Sequence, residues 1–202
     1  MEPGGKRGEP IPLRSVARLI REDLGGLLGG NHLWQLALLS GSRLLPDFYF
    51  GRLRTQLFRW AGCDIALGSS FLGDVTVAGA DDGAGRLHIG PGCIIGPGVK
   101  FDLEADIVLG KNVAIGPSCV LATSTHALGV GSRRMQTRVQ AKPITIDDGA
   151  WIGIGSMVLA GVRIGHGAVV SAGSVVVHSV EANTLVSGNP ATVVKQLPLG
   201  DR

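Results

Sequence analysis

Aromatic side chains are scarce, at 4% of the 202 residues. The chain therefore cannot fill a bulky aromatic core. Its interior has to be narrow and packed with Val, Ile and Leu. No apolar run approaches the roughly 20 residues that a membrane span needs. There are three cysteines, Cys63, Cys93 and Cys119, too few to read as a disulfide framework. No two histidines stand at the close spacing of a zinc site, so no metal is expected. No Ser lies in a Gly-x-Ser-x-Gly elbow, which argues against a serine nucleophile. The net charge is only +3, too small to suggest nucleic acid. The first residues show no basic start followed by an apolar run and a cleavage site. The expected compartment is the cytoplasm.

What the chain has is glycine, 32 residues of it, within a 45% hydrophobic composition. It also has a rhythm. From Ile146, the residues Ile152, Val158, Ile164, Val170 and Val176 follow at steps of six. Four places after each comes Ala150, Ser156, Val162, Ala168, Ser174 or Val180. A helix repeats its apolar face every 3.6 residues and a strand every two. A period of six fits neither alone. It fits a chain that runs straight briefly, turns and repeats, which is a β-solenoid.

The rhythm starts earlier, at Ile89, Ile95 and Phe101, slips by two residues, and resumes at Leu109, Ile115 and Leu121. Cys93, Val99, Ala105, Val113, Cys119 and Thr125 occupy the small inward slot. The two cysteines there should be reduced core residues. Weaker traces appear at 67–71 and 75–77. Three hexapeptides make a triangular coil, and about five coils fit between residues 65 and 181.

Ahead of the solenoid, residues 1–62 hold nine Lys or Arg against five acids. Residues 1–10 read as disordered and 12–24 as a short helix. A second helix is expected from an Asn31 cap through Leu39, and a third from Pro46 through Trp60. These helices should cap the open end of the solenoid. Arg mixed with Phe, Leu and Trp also suits peripheral contact with an anionic membrane.

Between Leu121 and Ile146 the rhythm vanishes, leaving a loop over 127–141 on a rigid scaffold, where function concentrates. His126 stands where the chain departs. A neutral imidazole at a corner can serve as a general base. His32, His88, His166 and His178 compete with weaker settings.

HisAlaLeu (126–128), LysProIleThrIleAspAspGlyAlaTrpIleGly (142–153) and ValSerGlyAsnProAlaThrValValLys (186–195) are similar to the hexapeptide-repeat acyltransferases. The likeness is to galactoside, maltose, nodulation-factor and polysaccharide O-acetyltransferases, and it covers roughly residues 65–196. The resemblance implies a left-handed parallel β-helix with an N-terminal helical cap, over a domain spanning 63–202. It implies a homotrimer with acetyl-coenzyme A bound between neighbouring solenoids, and an O-acetyltransferase acting on a sugar hydroxyl of a glycan or glycolipid precursor. By resemblance His126 is the catalytic base and Trp151 lies near it. Ile154 supplies a backbone amide near the thioester, Ala172 leaves room for the pantetheine arm, and Lys195 lies near the coenzyme phosphates.

Val177 and His178, carried over as coenzyme-binding positions, stand where the family often has Thr-Lys, and Thr192 where it often has Arg, so the resemblance implies phosphates held more weakly or by other residues. Gly96 and Glu104 align with the Asn and Asp of the sugar pocket. That departure argues against a simple galactoside or maltose acceptor. Other readings of the same scaffold are an antibiotic or serine acetyltransferase, a γ-carbonic-anhydrase-like metalloenzyme and a non-catalytic solenoid. The metalloenzyme needs a second histidine five residues after His126, where Gly131 stands.

Overall fold

The computed structural model describes residues 32–79, 83–132 and 134–198. The expected disordered stretch 1–10 and the helix over 12–24 lie outside them. Two helices come first, α1 (His32–Ser42) and α2 (Gly51–Trp60). α1 runs past the expected Leu39, and α2 starts at Gly51 instead of Pro46. The cause lies in the link between them. Phe48 and Phe50 adopt φ 64° and 57°, a left-handed geometry that cannot continue a right-handed helix.

Arg54 holds that link in place. Its side chain is fully buried and donates to the carbonyls of Ser42, Leu45, Pro46, Tyr49 and Phe71. A buried cation needs such partners to offset its lost hydration. From the same helix Phe58 stacks on Phe71, with ring centroids 4.6 Å apart. The helices thus cover the first coil, as a solenoid end requires.

The solenoid has three faces of parallel strands. The first stacks Asp64–Ile65, Leu87–Ile89, Ile107–Leu109, Ile144–Ile146 and Arg163–Ile164. The second stacks Ser70–Phe71, Ile94–Ile95, Ala114–Ile115, Trp151–Ile152, Val169–Val170 and Thr184–Gly188. The third stacks Val75–Ala78, Val99–Asp102, Val120–Ala122, Met157–Val158 and Val175–Val176. These are five complete coils and the start of a sixth, close to the expected number. The faint traces at 67–71 and 75–77 belong to a full first coil. Exposed Leu67 at an outward corner blurs its pattern.

Side chains alternate inward and outward along each short strand. Ile146, Ile152, Val158, Ile164, Val170 and Val176 are all buried, together with Ala150, Ser156, Val162, Ala168, Ser174 and Val180. The six-residue rhythm is therefore the core itself. Cys93 and Cys119 lie in it as free thiols, and so does Cys63. The two-residue slip is absorbed at the corner after Asp102. There Leu103 is buried, and the Arg86 guanidinium donates to the Leu103 and Glu104 carbonyls.

The chain leaves the solenoid at Thr123. The excursion is not an irregular loop over 127–141 but an antiparallel hairpin, Ser124–Leu128 with Met135–Ala141. Thr125 was expected inward and is exposed on this hairpin. Thr123 takes the buried place and donates to the Asp102 carbonyl at 2.6 Å. At the other end, Ala191–Gln196 folds back antiparallel on Thr184–Gly188.

Candidate active site

His126 lies exposed on the outgoing hairpin strand, opposite Val139. It is two residues beyond the rivet that fixes the hairpin base. There Asp102 accepts from the Ser124 backbone N–H at 3.0 Å and from its hydroxyl at 2.7 Å. Sequence reasoning missed Asp102, because a carboxylate 22 residues before Ser124 gives no local sign of its partner. Among the described residues no group of three His, Cys, Asp or Glu side chains converges as a metal site would require.

The corner between the second and third faces stacks one slot from coil to coil. Pro97, Pro117, Ile154 and Ala172 occupy it in the second to fifth coils. Ser118 N–H donates to Pro97 O, Gly155 N–H to Pro117 O and Gly173 N–H to Ile154 O, at 2.8 to 2.9 Å. Proline has no N–H. Ile154 and Ala172 do, and neither amide donates to any atom among the described residues. Both residues are exposed. A backbone N–H without a protein partner is the kind of donor that stabilises a developing oxyanion. The sequence held a signal for this, namely proline in one slot of two coils and its absence from the next two.

The coils approach closely here. A Cβ on Gly116 would fall 2.6 Å from the Ile154 nitrogen, and one on Gly153 2.5 Å from the Ala172 nitrogen, so each glycine lets the amide of the next coil come close. Gly96 occupies the equivalent place in the second coil, buried, where a Cβ would fall 2.6 Å from the Pro117 nitrogen. Trp151 stands on the second face, 56% exposed, between Ala114 and Val169 in register. Lys195 is exposed on the returning tail strand, opposite Leu185.

Glu104 and His178 lie at the other corner, between the third and first faces, with half-buried Val177. The hairpin carrying His126 leaves the solenoid there too. Within one chain, the anticipated residues therefore divide into two groups on different corners. Gly96, Ile154 and Ala172 share one, with Trp151 on the adjoining face. Glu104, Val177 and His178 share the other, together with the root of the His126 hairpin.

Residues 143–178 match the family model "Bacterial transferase hexapeptide (six repeats)". A galactoside O-acetyltransferase of Lactococcus lactis is 30% identical over 118 residues, covering 58% of this chain and 56% of that protein. The chain spans about half the length of the curated relatives it matches. Among solved structures, a hexapeptide-repeat-containing acetyltransferase of Vibrio cholerae is 30% identical with a TM-score of 0.71, covering 81% of this chain and 89% of that one. A second structure of that acetyltransferase, complexed with acetyl-coenzyme A, is 27% identical with a TM-score of 0.64, covering 85% and 92%. Coil architecture, repeat match and near-complete overlap with the Vibrio cholerae protein agree: the chain belongs to the hexapeptide-repeat acetyltransferases.

Proposed function

We propose that the protein transfers an acetyl group from acetyl-coenzyme A to a sugar hydroxyl of a glycan or glycolipid precursor. The observation that carries this reading is the pair of unpaired amides at Ile154 and Ala172, in the two coils that follow two with proline in the same slot. The similar Vibrio cholerae protein bound to acetyl-coenzyme A and the Lactococcus lactis sugar acetyltransferase support donor and acceptor class respectively.

In this mechanism His126 takes the proton of the acceptor hydroxyl. The hydroxyl oxygen attacks the thioester carbonyl and forms a C–O bond. The Ile154 N–H donates to the resulting oxyanion. Collapse breaks the C–S bond, and the departing thiolate takes up the proton that His126 removed, which restores the neutral imidazole. Trp151 walls the thioester end, exposed Ala172 leaves the pantetheine arm close to the coil, and Lys195 meets phosphate. His178, beside Val177, is a further donor toward the phosphates.

Because His126 and Ile154 belong to different corners, the proposed enzyme is a homotrimer. Each site then takes the hairpin of one copy and the second–third corner of its neighbour. We place it in the cytoplasm, in polysaccharide biosynthesis, with its basic N-terminal region at an anionic membrane. Sedimentation with liposomes that ignores anionic lipid content would remove the membrane contact.

A second reading has its own support. A 2,3,4,5-tetrahydropyridine-2,6-dicarboxylate N-acetyltransferase of Staphylococcus aureus is 40% identical over 87 residues, 43% of this chain and 32% of that protein. An amine acceptor is the alternative. Thiol release from acetyl-coenzyme A, measured across matched sugar-hydroxyl and amine acceptors, tests both. Turnover with sugars is the expected result. Turnover with amines alone transfers the assignment, and turnover with neither sinks it.

A further inference from the structure

A groove of about 660 Å³ runs between α2 and the outer surface of the first two coils. Arg52, Gln56 and Arg59 line its helix side. Their spacing of four and seven residues puts them on one helix face, with the two arginines roughly 10 Å apart along the axis. Arg59 is fixed by backbone carbonyls, with Nε donating to Ile65 O at 2.8 Å and Nη2 to Ala66 O at 2.7 Å. Arg52 is exposed and donates to no atom among the described residues. Neither guanidinium pairs with a carboxylate among those residues. Two cations with no counter-ion among the described residues, on one wall of a groove, favour an oxyanion, which guanidinium binds through paired N–H donors.

The opposite wall links the groove to the candidate active site. Ile94 lines the groove. It lies in register with Ala114, and Ala114 with Trp151. These outward residues are all apolar and span two strand steps, about 10 Å. Sugar rings can lie along such a strip while a charge sits at the arginines.

We infer that this groove holds the anionic end of the acetyl acceptor, a sugar bearing phosphate or carboxylate. The inference rests on the acetyltransferase reading above and narrows its acceptor class. It also accounts for a sugar pocket in which Gly96 and Glu104 replace the expected Asn and Asp.

The test begins without coenzyme A. Calorimetry compares trigalacturonate, glucose 1-phosphate and maltotriose as carboxylate, phosphate and neutral probes. One anionic probe should bind at least about tenfold more tightly than maltotriose, the gain expected of a charge-assisted hydrogen bond. Which one does so identifies the group. Arg52→Glu should abolish the preference, and Arg52→Lys should keep part of it. Lys111→Glu makes the same charge change at an exposed site on another corner and should keep all of it. Equal binding of the three probes, or a preference that survives Arg52→Glu, overturns the inference. Thiol release with the same probes separates the two claims. Transfer to maltotriose with no anionic preference sinks the groove and keeps the acetyltransferase. Anion binding with no transfer to any acceptor sinks the acetyltransferase, and the acceptor role of the groove falls with it.

Discussion

Two groups carry the proposed chemistry, the His126 imidazole and the Ile154 amide. His126 is exposed and off the core, so its loss should leave the solenoid intact. His126→Ala should fold normally by circular dichroism and slow turnover by ~10²–10⁴. Near-native turnover would remove it as the base. The Ile154 amide can be deleted as cleanly. Pro97 and Pro117 show that the corner accepts proline in that slot. Ile154→Pro should therefore keep the fold and lower kcat by ~10²–10³. Ile154→Ala keeps the N–H and should lose far less, and equal losses in the two variants would shift the role to the side chain.

Cys63 is a buried free thiol. Burial pushes its thiol up from the usual 9.0 to about 12. Below pH 9.0 both native and unfolded thiols hold their proton, and the burial is free of penalty. Between pH 9.0 and about 12 only the unfolded thiol ionises, so native stability falls across that window. Denaturation midpoints of wild type should drop more steeply there than those of Cys63→Ala.

At the scale of elements, the cap and the hairpin show how far local pattern reaches. The expected third helix had an acceptable apolar spacing from Pro46 onward. It starts later because Phe48 and Phe50 are left-handed, and the buried Arg54 that organises them satisfies carbonyls from the end of α1, from the link and from Phe71. Nothing local separates Arg54 from Arg52, two residues away and exposed. Arg54→Met should leave those carbonyls unsatisfied and cost roughly 3 kcal/mol or more, read by urea denaturation. A loss under about 0.5 kcal/mol, the range of ordinary surface substitutions, would show that the clamp is dispensable. The hairpin was legible only as an interruption. Its pairing joins residues up to 17 apart, as in Ser124 with Ala141, and its anchor on Asp102 lies a coil below.

At the scale of the molecule, the separation of His126 from Ile154 makes a prediction about assembly. Sedimentation should give three times the 20.9 kDa chain mass. His126→Ala and Ile154→Pro, each inactive alone, should recover activity when unfolded and refolded together. A mixed trimer contains at least one junction where an intact histidine meets an intact amide. Failure to complement, with mixed trimers demonstrated, would place the whole site within one chain.

The sequence by itself determined the solenoid, because a period of six is local. Each hexapeptide dictates its own strand, turn and inward residues. It also determined that the cysteines at 93 and 119 are core and that His126 stands at a departure from the repeat. Only the tertiary structure decided which corner each candidate occupies, which arginine is buried and which faces a groove, and what holds the hairpin. Those outcomes depend on stacking between coils some eighteen residues apart, shifted by a two-residue slip and a hairpin. No local pattern records that sum.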